Sequence, residues 1–340
     1  MRRARRVLVA VALVGGMPAA LAAFTSTSSA SNSIGTDTDW TRPAVDRTVV
    51  AKTTGYLGGA VKQGGTYYVY ANITDAGNPP SGMSGGSASV TADVQTVTTG
   101  QSSVTLTSAS GPWSVQGLSY NYRSAQLTAT NPLAAGSKAY SITPRDADGN
   151  SGTASGYSVT ADNTAPTASD IQTANKPGGS SGVAETGDTI TFTFSEQIDP
   201  QSILAGWTGA STNVIVHLED GGCLLSLLVK ICADDSFEIY NGASPLATLG
   251  PVNLKDVDYL GGGIIGTVAD AVFGSSGTAS TMVQSGASII ITLGTRSGSS
   301  PDQGNSTTTE WDSAATPYDA AGNTASGNVR TEQGGGDREF

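Results

Sequence analysis

The sequence predicts an all-β protein made of two tandem antiparallel β-sandwiches. The first observation is a phrase used twice: Asp146-Ala147-Asp148-Gly149-Asn150 returns as Asp319-Ala320-Ala321-Gly322-Asn323. A second phrase opens each copy, as Asp39-Trp40-Thr41-Arg42-Pro43 and as Asp162-Asn163-Thr164-Ala165-Pro166. Composition is the other observation, since charged residues make up 13% of the chain and Gly numbers 44, which favours short strands and turns over surface helices. Self-similarity at a fixed phase indicates two copies of one structural unit.

The N-terminal segment has the features of a secretory signal peptide. Four arginines precede an apolar stretch at 7–14, and small residues at 20–22 form a cleavage sequence. An uncleaved anchor is the alternative, although the apolar stretch is short for a membrane span. We therefore expect residues 1–22 to be removed and residues 23–44 to form a flexible leader. The mature chain is then extracellular, secreted or associated with the cell surface, with no transmembrane span.

The predicted mature chain is strongly acidic. Loss of the four N-terminal arginines from the 17 basic residues leaves 13 against 28 acidic residues, a net charge of −15. Such a surface repels nucleic acid and anionic lipid, so we predict no nucleic-acid partner. Hydrophobic residues still make up 38% of the chain and fall in patterned runs, which predicts a folded protein.

Runs that alternate apolar and polar residues, separated by Gly and Pro, predict the strands of each unit. In the first unit, assigned to 45–163, the strands are predicted at 48–51, 66–73, 87–94, 103–107, 124–129, 138–143 and 157–160. In the second, assigned to 164–330, they are predicted at 188–196, 213–218, 236–240, 266–273 and 288–293. Asp199-Pro200 predicts a helix N-cap and one helical turn. The Gly-rich end at 331–340 predicts a disordered tail.

Several of these segments resemble one family. The stretch from Gly187 to Glu196 resembles the opening strands of bacterial Ig-like domains. The two Asp-x-x-Gly-Asn turns and the joint at 162–167 resemble the last hairpin and the linker of the same domains. The resemblance covers roughly 45–330, about two domains. It implies tandem Ig-like β-sandwiches like those of adhesins and surface proteins of high-GC Gram-positive bacteria, in which such modules serve as stalks, spacers or ligand-binding domains.

An insertion at 220–235 departs from that family, whose members usually carry a short polar loop there. Cys223 and Cys232 enclose six aliphatic residues, which are Leu224, Leu225, Leu227, Leu228, Val229 and Ile231. One cysteine pair in a secreted chain favours a disulfide across a hairpin over a metal site or a redox motif. Closing such a loop contributes about 2–3 kcal/mol. The aliphatic residues either pack on the second unit or form an exposed binding surface.

The sequence offers little for catalysis. Any Ser-His-Asp arrangement needs His217, the only histidine, which we interpret as a half-exposed strand residue beside Glu219. Pairs of acidic residues close in sequence occur, as glycoside hydrolysis requires, but aromatic residues make up only 6% of the chain. The four tryptophans are scattered and are predicted to pack in cores or interfaces. We therefore predict that the protein is not an enzyme.

Calcium is the one ligand that the motifs suggest. Asp146, Asp148 and Asn150 place three oxygen-bearing side chains at alternate positions of a turn, an arrangement suited to hard cations. Asp75 or Asp162 would complete the shell at the joint between the units. The alternative is an Asx-type turn, in which these side chains bind the backbone of their own hairpin.

The match to an EF-hand calcium loop is incomplete. Ser151 stands where that loop has Gly, and Tyr157 stands where it has a bidentate Glu. In the second copy, Ala321 replaces the second aspartate. The sequence therefore requires no cofactor, and calcium remains one of two interpretations.

These observations predict a non-enzymatic secreted or cell-surface module for adhesion, envelope association or ligand presentation. Its partner would be an extracellular ligand, whether cell envelope, polysaccharide or protein. The alternatives are a carbohydrate-binding accessory domain, a secreted hydrolase, and a mechanical spacer without a ligand.

Overall fold

Two β-structured units, each with its own apolar core, follow one another along the chain. The computed structural model describes residues 39–226, 229–260, 270–302, 304–338 and 340. The core of the first unit is drawn from residues 50–161, and that of the second from residues 168–340. The predicted signal peptide and most of the predicted leader lie outside the described residues. Within the described part of the chain, no helix is long and apolar enough to cross a membrane.

The first unit contains eleven strands. Their bounds are β1 Ala44–Lys52, β2 Ala60–Val61, β3 Thr66–Thr74, β4 Ser89–Asp93, β5 Val104–Thr107, β6 Trp113–Val115, β7 Leu118–Tyr120, β8 Tyr122–Ser124, β9 Leu127–Thr128, β10 Gly136–Arg145 and β11 Ala154–Ala161. The predicted strands at 48–51, 66–73 and 138–143 lie within β1, β3 and β10. Alternation identified them because their apolar residues point into one core.

The first sheet curves back on itself. Its strand order is β1-β3-β8-β5-β4-β10-β11-β2, with β9 paired to β3 and with β2 and β11 parallel. Gly59, next to β2, donates its N–H to the carbonyl of Val50 in β1 at 2.8 Å. The two ends of the strand order therefore meet, which gives the unit a barrel-like form. A separate hairpin, β6-β7, covers the outer face of β1 and β3 with Val115 and Tyr120.

The described residues of the second unit form sixteen strands and one short helix. Their bounds are β12 Ala168–Ala174, β13 Thr189–Phe194, α1 Pro200–Ile203, β14 Thr212–Glu219, β15 Cys223–Ser226, β16 Val229–Cys232, β17 Ser236–Asn241, β18 Ser244–Pro245, β19 Val252–Asn253, β20 Asp270–Phe273, β21 Ser280–Ser285, β22 Ser288–Thr292, β23 Arg296–Gly298, β24 Ser306–Thr307, β25 Glu310–Asp312, β26 Val329–Thr331 and β27 Asp337–Arg338. Helix α1 begins as predicted, with the Asp199 side chain accepting from the Gln201 N–H at 3.0 Å.

The second sheet is antiparallel and strongly curved. Its order is β12-β13-β22-β21-β14-β17-β19-β25-β26, with β18, β20 and β23 attached at its sides. Ile190, Phe192 and Phe194 of β13 are buried, as the period-two pattern predicts. The residues after β26 return to β12, where the N–H of Gln333 donates to Asp170 Oδ1 at 2.8 Å. The protein is thus all-β with antiparallel sheets, and both sheets are barrel-like where the sequence predicted two-layer sandwiches.

The C-terminal segment differs from its prediction. The described residues of 331–340 include the end of β26 and strand β27, which pairs with β24. Phe340 is 2% exposed, and its ring meets Phe237 edge to face at 5.5 Å. The glycines at 334–336 predict a disordered tail from composition alone. The burial of Phe340, which composition does not reveal, holds the segment in place.

Candidate metal centres

The first Asp-Gly-Asn turn is closed by its own side chains. Asp146 Oδ1 accepts from the Asn150 backbone N–H at 2.7 Å, and Asp146 Oδ2 accepts from Asn150 Nδ2 at 2.9 Å. The Asp146 N–H donates to the Asn150 carbonyl at 3.1 Å. These bonds match the Asx-type turn that the sequence analysis gave as one interpretation.

The second turn repeats this geometry. Asp319 Oδ1 accepts from the Asn323 N–H at 2.8 Å, and Asp319 Oδ2 accepts from Asn323 Nδ2 at 2.8 Å. Ladder-like bridges flank both turns at equivalent positions, Arg145 with Ser151 and Tyr318 with Thr324. The repeated sequence phrase therefore corresponds to a repeated structure.

Each turn is joined to the phrase that opens its own unit. Asn150 Nδ2 donates to the Asp39 carbonyl at 3.0 Å, and Asn323 Nδ2 donates to the Asp162 carbonyl at 3.0 Å. The opening aspartate also accepts from the N–H two residues ahead in both copies, at 2.8 Å for Asp39 and 2.9 Å for Asp162. Two phrases that are distant in sequence thus form one site in each unit.

A third carboxylate completes each site. Asp75, directly after β3, joins Asp39 and Asp146 in what we name the N-terminal cluster. Glu196, shortly after β13, joins Asp162 and Asp319 in the joint cluster. In both clusters one ligand oxygen from each residue lies within 4.8 Å of the others. Three convergent carboxylates form the type of oxygen environment that Ca²⁺ binds.

In the N-terminal cluster, backbone N–H groups hold the Asp39 carboxylate in its anionic form. Asp39 is 1% exposed and accepts from the Ser81 N–H at 2.9 Å. The backbone N–H groups of Ser81 and Thr41 lower the pKa of Asp39. Asp75 Oδ2 accepts from Gly82 N–H at 2.6 Å, whereas the buried Oδ1 of Asp75 has no hydrogen-bond partner among the described residues. A buried carboxylate oxygen in this position is suited to a cation.

In the joint cluster the carboxylates repel one another, and the effect is largest on Glu196. Burial, together with the carboxylates of Asp319 and Asp162, raises the pKa of Glu196 to about 7. Near neutral pH Glu196 is therefore partly protonated, and its ionised form is repelled by Asp319 and Asp162. A divalent cation would relieve the repulsion while accepting all three carboxylates as ligands.

The residues that the sequence predicted as calcium ligands do not all lie in one cluster. Asp146 is a cluster member, whereas Asn150 braces the turn with its amide. Asp148 does not belong to the N-terminal cluster. Asp75 and Asp162, considered as partners for one shell, belong to different clusters.

Sequence reasoning missed three of the six cluster members, Asp39, Glu196 and Asp319, although a signal was available for Asp39. Asp39 and Asp162 each open a repeated phrase, which marks them as structurally equivalent. Glu196 and Asp319 were not assigned, because Glu196 is not the residue type of its counterpart Asp75 and Asp319 lacks a second aspartate in its turn. Only the fold brings these carboxylates together.

A second polar group lies where the two units meet, next to the joint cluster. Lys52 Nζ of the first unit lies 2.5 Å from Asp199 Oδ2 of the second, and both side chains are largely buried. The backbone N–H groups of Tyr56 and Leu57 also donate to Asp199, each at 2.9 Å to Oδ2. Gly55 permits this approach, since it has φ +101 and an added Cβ would lie 2.5 Å from Asp199 Oδ2.

The predicted disulfide is confirmed. Cys223 and Cys232 are bonded, and they face one another across the β15-β16 hairpin. This hairpin forms its own two-stranded sheet, and Ile231 is 58% exposed. Leu227 and Leu228 lie outside the described residues, as do the side chains of Leu224, Leu225 and Val229. Among the six aliphatic residues of this hairpin, Ile231 is the one whose side chain is described, and it is exposed.

His217 lies on the outer face of the second sheet. Its ring stacks on Tyr240 with a centroid separation of 4.1 Å, and Glu238 is its cross-strand neighbour. Glu219 lies two residues further along the same strand, and burial with the nearby Glu238 raises its pKa. His217 is therefore partly covered by a neighbouring ring, consistent with its interpretation as a half-exposed strand residue.

No protein-family model, no curated protein and no solved structure matches this chain.

Proposed function

We propose that this chain is a non-enzymatic secreted or cell-surface module whose two Ig-like units bind calcium and serve adhesion, envelope association or ligand presentation. The observation that carries the proposal is the repetition of one three-carboxylate cluster at the opening of both units. Two copies of a costly arrangement of like charges are best explained by a shared ligand, because carboxylates brought together without a cation repel one another.

The disulfide and the absence of a membrane-crossing helix among the described residues are compatible with an extracellular site of action. The Ig-like assignment adds that binding falls to loops and sheet edges, which vary most between such modules. The Cys223–Cys232 hairpin, with Ile231 exposed, is the first such loop to test.

A mechanical spacer is the second candidate function, and the joint between the units favours it. The buried Lys52–Asp199 contact connects the two units through side chains, and Lys62 Nζ donates to the Gly322 carbonyl at 2.5 Å. A joint with several specific polar contacts transmits orientation from one unit to the next.

Calcium is expected to raise the melting temperature relative to a chelator. A ligand at about 100 times its Kd stabilises by about 2.7 kcal/mol per site, which corresponds to a shift of about 5–10 °C for units of this size. Differential scanning calorimetry of the mature chain, with excess calcium or with chelator, measures the shift. The double variant Asp75→Asn/Glu196→Gln is expected to lose it, because one carboxylate is removed from each cluster.

Asp148→Asn is the matched control for this experiment. It removes a carboxylate from the turn but not from the N-terminal cluster, so the calcium shift should persist. Equal melting temperatures in calcium and chelator for the unsubstituted protein would rule out calcium as a ligand of either cluster.

Binding to the cell envelope is tested by cosedimentation of residues 31–340 with isolated cell walls of the producing organism, with and without calcium. Saturable pelleting is expected for an envelope-binding module, and the carboxylate variants would then show whether calcium is needed. Absence of pelleting in both conditions would favour the spacer or a soluble ligand.

A further inference from the structure

The turn that carries Asp319 is held by the first unit. Lys52 Nζ donates to the Ala320 carbonyl at 3.0 Å, and Lys62 Nζ donates to the Gly322 carbonyl at 2.5 Å. Both lysines belong to the first unit, whereas both carbonyls belong to the turn of the second. The geometry of this turn thus depends on how the two units are docked.

The opening aspartate of the joint cluster is tied to the same part of the first unit. The Asp162 N–H donates to the carbonyl of Val61, the residue before Lys62, at 2.9 Å. One short segment of the first unit therefore contacts the backbone on both sides of the joint cluster. Glu196 reaches that cluster from just after β13 of the second unit.

The N-terminal cluster is built differently at the equivalent position. The Ala147 carbonyl, which corresponds to that of Ala320, accepts from the Ser87 N–H at 3.0 Å within the same unit. The Ala147 N–H donates to the Gly82 carbonyl at 3.0 Å, again within the unit. This turn is held by its own unit, so its geometry does not depend on the joint.

We infer that Lys52 and Lys62 are positioning residues for the joint cluster, so that cation binding there and docking of the two units are linked. The inference rests on the proposed calcium function and adds regulation to one of its two sites. The coupling is reciprocal: if docking of the two units strengthens cation binding at the joint cluster, the bound cation stabilises docking. The two effects have the same free energy. The N-terminal cluster binds its cation whether or not the units are docked.

Electrostatics alone predicts the opposite effect of removing a lysine. A positive charge beside a cation site repels the cation, and the Asp319 carboxylate does interact with the Lys52 ammonium. Neutralising a lysine would then tighten calcium binding. A positioning role instead predicts weaker binding, because the carbonyl of Gly322 loses its donor and the turn loses its support. The sign of the change separates the two explanations.

The experiment is a calorimetric calcium titration of the mature chain in an Asp75→Asn background, which leaves the joint cluster as the site observed. Lys62→Met is expected to raise the calcium Kd at least about fivefold, the lower end of usual coupling between sites. Lys62→Arg, which keeps a donor and the charge, is expected to restore most of the affinity. Lys176→Met is the matched control, since it removes the same charge at the far end of β12.

Each outcome has a distinct meaning. Unchanged or tighter calcium binding in Lys62→Met, with the fold preserved by circular dichroism, would overturn the linkage and leave the calcium function standing. An equal loss in Lys176→Met would also overturn it, because the effect would then follow net charge. Absence of calcium binding in the Asp75→Asn protein itself, with binding present in the unsubstituted chain, would overturn it by excluding the joint cluster as a site. No binding in the unsubstituted chain would overturn both proposals.

Discussion

Asp199→Asn is expected to lower the free energy of unfolding by about 3–5 kcal/mol, the usual effect of removing one partner of a buried ion pair. Asp199 is fully buried, and the Lys52 side chain is 7% exposed. Asparagine has nearly the same shape, but its NH2 group replaces one of two carboxylate oxygens that both accept from N–H donors, so the substitution removes the charge and one acceptor.

The effect is large because the buried Lys52 ammonium would lose its hydrogen-bonded counter-charge and keep only its interaction with the Asp319 carboxylate. Burial lowers the pKa of the Lys52 ammonium, and Asp199 is the main group that opposes this shift. After the substitution the ammonium retains only carbonyl acceptors, those of Leu57 and Ala320. The reverse variant, Lys52→Met, should be milder, since three backbone N–H groups still donate to the Asp199 carboxylate.

Urea unfolding of the full mature chain measures both variants. The matched control is Glu310→Gln, which breaks the Lys255–Glu310 ion pair with a 2.7 Å contact but with side chains 37% and 32% exposed. We expect that control to change stability by less than about 1 kcal/mol. If Asp199→Asn were as mild as the control, the pair at the joint would have to be hydrated and the joint would contribute little stability.

Trp311→Ala is expected to destabilise the second unit by about 3–5 kcal/mol. Trp311 is fully buried in β25 and meets Phe192 and Phe194 edge to face, with centroid separations of 5.2 and 5.0 Å. Its Nε1–H donates to the Leu249 carbonyl at 2.6 Å. Alanine would leave a large cavity between strands and a buried carbonyl without its donor.

Two further variants separate these contributions. Trp311→Phe keeps an aromatic ring but loses the N–H, so it should cost about 1–3 kcal/mol. Trp40→Ala is the matched control, because Trp40 is 80% exposed and its loss should change stability by less than about 0.5 kcal/mol. Urea midpoints at constant m-value provide the comparison. A loss below about 1 kcal/mol for Trp311→Ala would mean that the core repacks around the gap.

Trp40 also shows a limit of residue-type reasoning. All four tryptophans were predicted to pack in cores or interfaces, and Trp207 and Trp311 are buried as expected. Trp40 is exposed because it follows Asp39 in an opening phrase whose conformation is set by the cluster and not by apolar burial. Its sequence neighbours gave no indication of this difference.

Several features around the candidate sites follow from local sequence. The repeated turns, the helix cap at Asp199 and the cysteine hairpin are local features, governed by side chains that bind a backbone within a few residues of themselves. Asp75 and Glu196 are different, because each reaches its cluster only when β3 or β13 pairs in the correct register. Local propensity carries no information on such long-range contacts.

The sequence by itself determined the all-β class, the repeated Asp-x-x-Gly-Asn turns, several of the main strands and the disulfide. These depend on period-two alternation, turn residues and a single cysteine pair, which act over short distances in the chain. The tertiary structure decided the closed, barrel-like sheets, the two carboxylate clusters and the lysines that hold the Asp319 turn across the joint. Those features arise from sheet curvature and from contacts between residues more than a hundred positions apart, such as Lys52 and Asp199, which only the packed chain brings within bonding distance.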